Sequence, residues 1–219
     1  MEPDLRKTHE MAGLFEVPHG ARDDAWTAAL LDNVGDASFA AWAPQIRVGP
    51  DGLGYFGLAL PAPGPFTPFS IRTLLPHLLE SGVGVTVGAD NLRPEWVFRH
   101  GDVVSFAVTD AFLQAVPVGE VGPLEGVEIL VASPSTSILP TPTRAVLRRM
   151  LQGHGVPDPR VGLLCVPREG GVQQILAVDL PAESTVGADQ VLSLAKWLLP
   201  RHYRVVGIPP SLRNSMAVL

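Results

Sequence analysis

The segment "SPSTSILPTPT" (residues 133–143) constrains the chain more than any other stretch. Pro134, Pro140 and Pro142 each fix φ and withdraw a backbone donor, so neither a helix nor a sheet ladder can run through it unbroken. The 219 residues therefore divide here, and either part is long enough to bury a core of its own. The charge balance reverses at the same place. Residues 1–140 carry 7 Lys+Arg against 17 Asp+Glu, a balance of −10, whereas 141–219 carry 9 against 5, a balance of +4. The expectation is an acidic unit over 1–132, a linker over 133–141 and a basic unit over 142–219.

The second part has the clearer periodicity. Thr141 is placed as an N-cap with Pro142 at the first helical position, where its missing N–H costs nothing. Val146, Leu147, Met150 and Leu151 then form one apolar stripe, and Gly153 and Gly155 stop the helix. Two β-rich runs at 161–167 and 172–179 flank "REGG" and predict a hairpin. A helix follows over 187–199, with Val191, Leu194, Ala195, Leu198 and Leu199 on one face, and "YRVVGIPP" reads as a last strand stopped by two prolines. The order is α-β-β-α-β, with both helices on one face of a mixed sheet.

The first part is less regular. Asp23 and Asp24 favour a helix over 22–33. "GPDG" separates two strands, and Ser70 caps a helix that Pro76 should kink or shorten. Strands are expected at 83–88, 95–99, 103–108 and 126–131. The fold class is thus α+β, built as two small units.

Composition narrows the function classes. Hydrophobic residues make up 46% and charged residues 17%, a globular composition. No run of about 18 apolar residues predicts a membrane span. The first residues, "MEPDLRKTHEMAGLFE", lack the apolar centre of a secretory signal. One cysteine, Cys165, allows no internal disulfide or multi-cysteine metal site; in an apolar strand without a neighbouring base, it reads as buried and structural. A cytoplasmic protein, bacterial in composition, without cofactor, membrane or nucleic-acid partner, is the expectation. The net charge of −6 argues against nucleic acid in particular.

The glycines of "ESGVGVTVGAD" (80–90) resemble a phosphate loop, but the order of elements is wrong for one. A phosphate loop leads from a strand into a helix N-terminus. Here a helix precedes Gly82 and β-rich residues follow it. Gly82 is expected to be a left-handed helix cap, and the spacing is one residue too long for a dinucleotide fingerprint. No Walker motif and no G-x-S-x-G elbow occurs, and the six histidines show no metal-ligand spacing.

Two clusters remain. Glu95, Arg99, His100 and Asp102 crowd together in "RPEWVFRHGD", where Asp and His could exchange a proton with a ligand. The alternative is a hairpin turn with Gly101 at positive φ. Arg144, Arg148 and Arg149 lie opposite the apolar stripe of their helix, so they meet solvent, phosphate or an acidic surface. The expected surface is acidic, belonging to the first unit or a second copy. Most of that contact would come from apolar burial around "YFGLALPAPGPFTPF" (55–69), because exposed ion pairs contribute only about 0.2–1 kcal/mol each.

"RAVLRRMLQGHGV", "VGLLCVPREGGVQQILAVDL" and "ADQVLSLAKWLLPRHYRVVGIPP" together resemble the C-terminal domain of the enhanced serine sensitivity protein SseB family. Ala177–Val178–Asp179 falls where that family's hairpin ends, and Leu199–Pro200 where its "LP" stands. The resemblance implies the α/β fold for residues 141–210 and a role without catalysis; it supplies no catalytic residues. An interaction or regulatory module, of protein partners or a homo-oligomer, is the leading functional expectation. A ligand binder or hydrolase built on Arg99, His100 and Asp102, and a toxin-immunity protein, are the alternatives.

Overall fold

The computed structural model of the protein describes residues 4–90, 92–114, 128–168, 171–181 and 187–219. The chain is α+β, with two mixed sheets in two compact units, Met1–Phe112 and Leu113–Leu219.

In the first unit, α1 (Leu5–Glu16) begins at Asp4, whose carboxylate accepts the Lys7 N–H. Thr8, Met11 and Phe15 form its buried face. A short 3-10 turn at His19–Ala21 leads to Asp23, which caps α2 (Asp24–Val34) by accepting the Trp26 N–H. The sheet contains β1 (Ala40–Val48), β2 (Gly54–Ala59), β3 (Gly84–Gly88) and β4 (Trp96–Phe98), in that spatial order. β1–β2 and β3–β4 are antiparallel, whereas β2–β3 is parallel and joined through α3 (Ile71–Ser81). Ser70 caps α3, which runs through Pro76 as one element. Gly82 ends it at φ 71, the left-handed conformation expected of it.

Sheet periodicity selects the core. Phe56 and Leu58 stand opposite Val85 and Val87, and Phe98 opposite Val85, so all five share one face. Contact between the Phe56 and His77 rings, 5.9 Å apart, places α3 over that face.

Residues 100–109 correct the sequence reading. "HGD" is not a hairpin turn and 103–108 is not a strand: His100–Thr109 is α4. Asp102, at the third helical position, accepts the Arg99 N–H at 2.8 Å and so closes the helix start. Every residue from His100 to Phe106 is buried, leaving no polar face to mark a helical period. Burial on all sides outweighs the strand preference of "VVSFAV". Gly101 lies in the helix, without the positive φ a turn would need.

In the second unit the sheet order is β5 (Leu130–Ala132), β6 (Arg160–Arg168), β7 (Gly171–Val178), β8 (Val205–Gly207). β6 and β7 form the expected hairpin; Glu169 and Gly170 of its turn lie outside the described residues, as do 126 and 127 of the strand expected at 126–131. α5 (Thr141–Gly153) starts one residue early, with Pro140 at the cap position and Pro142 second in the helix. α6 (Ala188–Leu198) packs on α5 and on β8. β5 pairs with β6, so the strand expected to finish the first unit belongs to the second. With the division after Phe112, the balances become −7 and +1, because three acidic residues between 113 and 140 pass to the second unit.

β8 is not the last element. A 3-10 helix, Pro210–Ser215, leads to β9 (Ala217–Val218), which pairs with β6 on the side that β5 also occupies. Leu164, Val166, Ile175 and Ala177 form a sheet face closed by Met216. Val161, Leu163, Leu176 and Val178 are buried on the alternate face.

Candidate functional site

His100 and Asp102 fill structural positions. His100 is fully buried, and its Nδ1–H donates to the Val83 carbonyl at 3.2 Å. Burial pushes its pKa down to about 4, against a smaller opposing contribution from that hydrogen bond, so the ring is neutral at pH 7. Asp102 is equally buried and spends a carboxylate oxygen on the helix cap. Neither side chain reaches solvent to exchange a proton with a ligand. Arg99 is exposed at the cap position.

Glu95 joins a different group. Its backbone N–H donates to Val87 O at 2.7 Å, which fixes it at the carboxyl end of β3. Arg22 Nη2 donates to Glu95 Oε2 at 2.7 Å, and His19 Nε2 lies 3.5 Å from the same oxygen. Arg22 Nη1 donates to His19 Nδ1 at 3.0 Å, Arg22 Nε donates to Val17 O, and the guanidinium stacks on Trp26 at 4.5 Å. Since Nδ1 accepts from arginine, the proton of the neutral imidazole sits on Nε2, facing the carboxylate. Trp26 and Trp96, 5.7 Å apart, form an aromatic wall beside the pair.

The arrangement presents one exposed imidazole, 74% accessible, against an oriented carboxylate. Chemically it can pass a proton to a solvent-borne group or hold a polar ligand at the imidazole; Trp26 itself is buried beneath Arg22. His19 and Arg22 lie more than 70 residues before Glu95, so no local spacing announces them.

Of the three arginines, Arg144 has a local structural role: Nε donates to Leu139 O at 3.0 Å and Nη2 to Pro134 O, tying the Pro-rich segment to the start of α5. Both of these bonds go to carbonyls of that segment. Arg148 and Arg149 are exposed. Cys165 is half-buried in β6 rather than fully buried. Among the described residues, no group of three His, Cys, Asp or Glu side chains could hold a metal ion, and no helix is long and apolar enough to cross a membrane.

Comparison with known proteins adds no assignment: no family model matches the chain, and no curated protein or solved structure is significantly similar to it.

Proposed function

We propose that the chain is an interaction module that engages a protein partner along β1 of its first unit. The observation that carries this reading is the state of that strand. β1 is an edge of its sheet, and Ile46 and Val48, two residues apart and so on one side, are exposed; Val48 is 74% accessible. An edge strand offers unpaired backbone groups, and exposed apolar side chains beside them favour addition of an extended segment. The consumption of His100 and Asp102 by the start of α4 supports a role other than catalysis at that cluster. For the second unit, the order α5-β6-β7-α6-β8 supports kinship with the SseB C-terminal domain.

The test is photo-crosslinking in cells, with benzoylphenylalanine at Val48 and, as a control, at Val172, a comparably exposed apolar residue of the second unit. A discrete adduct at Val48 and not at Val172 is expected. Equal labelling at both, or at neither, overturns the reading.

The His19–Glu95 pair favours a second reading, a small-ligand site, because ligands of open α/β sheets settle outside the carboxyl ends of parallel strands. A pool of small polar metabolites should then shift the His19 ring resonances and leave those of His9 in place. Equal shifts at both rings would reject it.

A further inference from the structure

Segment 209–219 lies across the second unit's sheet in the manner of a bound peptide. It leaves β8, passes the face of β7 and β6, and ends by pairing Ala217 and Val218 with Val161 and Arg160 at the outer edge of β6. Met216 is buried against Leu164, Val166, Ile175 and Ala177, and Leu212 packs on the same cluster. Met216 Sδ occupies the space that a Cβ on Gly162 would need, so glycine is what lets it approach the strand. Between the two apolar side chains, Arg213 reaches Asp179, just past β7: Nε donates at 3.1 Å and Nη2 lies 2.9 Å from Oδ2. Asp179 is the residue that ends the "AVD" run quoted above, and its side chain is 8% exposed. Arg160 Nη1 donates to the carbonyls of Arg213 and Met216, and Leu219 N donates to Pro159 O at 2.9 Å.

These are the parts of a peptide-recognition site: two apolar anchors four residues apart, an arginine between them on a largely desolvated carboxylate, and a terminal strand added to a sheet edge. The occupant is a short 3-10 helix and two strand residues, joined to β8 through Pro209–Pro210. We propose that this face is a receptor for an apolar–basic peptide segment of a partner protein, and that residues 209–219 are its built-in competitor. A partner segment of the pattern Leu-Arg-x-x-Met would displace the strap and take up its anchors. This surface belongs to the second unit and stands independently of the β1 reading.

Tethering keeps the strap at a high effective concentration, so the native chain should bind such a peptide weakly. The experiment uses the full chain and a fluorescein-labelled peptide of residues 209–219, read by anisotropy. Arg213→Gln loosens the internal strap and leaves Asp179 free for the peptide's arginine; affinity should rise about tenfold over the native chain. Asp179→Asn removes the receptor's anchor, and affinity should stay at or below the native level. Hydrogen exchange monitors the fold: in Arg213→Gln the Met216 and Leu219 amides should lose protection while the β6–β7 amides keep theirs. If Arg213→Gln loses the β6–β7 protection too, Arg213→Lys, which retains the charge without the forked donor, replaces it. Equal binding by the arginine and Asp179→Asn variants, or no gain in the arginine variant with an intact sheet, overturns the proposal.

Discussion

Lowering the pH from 7 to about 4.5 should destabilise the first unit through one ring, His100. Its folded pKa of about 4 lies below the ordinary 6.5, because burial disfavours the imidazolium. A depressed histidine contributes no penalty while both states are neutral; the penalty appears as pH falls below 6.5, when the unfolded chain takes up a proton the folded one refuses. Stability is therefore lost between about pH 6.5 and 4 and levels off below the folded value. The difference of the two titrations amounts to about 2 kcal/mol by pH 4.5, a sizeable fraction of a domain's stability. His100→Asn isolates this contribution, since the amide can still donate to Val83 O but cannot titrate. Urea unfolding followed by tryptophan fluorescence is the assay, because Trp26, Trp42 and Trp96 all belong to the first unit. The native protein should lose about 2 kcal/mol more than His100→Asn over that interval. Parallel profiles for the two would refute a buried, neutral His100.

The ion pairs of Asp36 act in a separate window. Arg72, and then Lys7, hold its carboxyl below the ordinary 3.8 against the opposing effect of burial, so their contribution is present above that value and lost as pH falls through it. Asp36→Asn should flatten the stability profile below that value and leave the interval from 5 to 7 unaltered. Asp102→Ala should lower the first unit's stability by about 1 kcal/mol or more through loss of the α4 cap, measured by urea midpoint. Gly82→Ala should cost about 1–2 kcal/mol for forcing a side chain into the left-handed region, again by urea midpoint. Gly162→Ala should displace Met216 and cost about 1–3 kcal/mol in the second unit, read as faster exchange of the Leu219 amide.

Two kinds of signal made elements legible: a helical period with one polar face, and β-rich runs around a glycine turn. α6 shows the first and the β6–β7 hairpin, buried on both faces over much of its length, shows the second; the structure places both within one or two residues of expectation. α4 presents no such face: with His100 to Phe106 all buried, its apolar run carries no period, and β-branched residues mimic a strand. α1 does carry a signal, in the 8, 11, 15 spacing of its buried residues, but its charged composition masks it. For the candidate site, Glu95 was visible, yet its partners His19 and Arg22 come from the loop before α2 and meet it only through tertiary packing. The strap was hidden for a different reason. Pro209 and Pro210 do end a strand, and nothing local shows that the chain beyond them returns to β6.

That return has a consequence for synthesis. The pairings of the first sheet among the described residues lie between Ala40 and Phe98, so it can close as soon as Phe112 and the helices before it have left the ribosome. The second sheet cannot. β6 emerges with its β5 neighbour already in place, but the rest of that edge stays open until Ala217 and Val218 arrive, more than 50 residues later. For the seconds that a ribosome takes to add those residues, the face of Leu164, Val166, Ile175 and Ala177 lacks its cover. The nascent second unit is thus the stage at which this chain is most open to chaperone capture or to aggregation with its neighbours on a polysome.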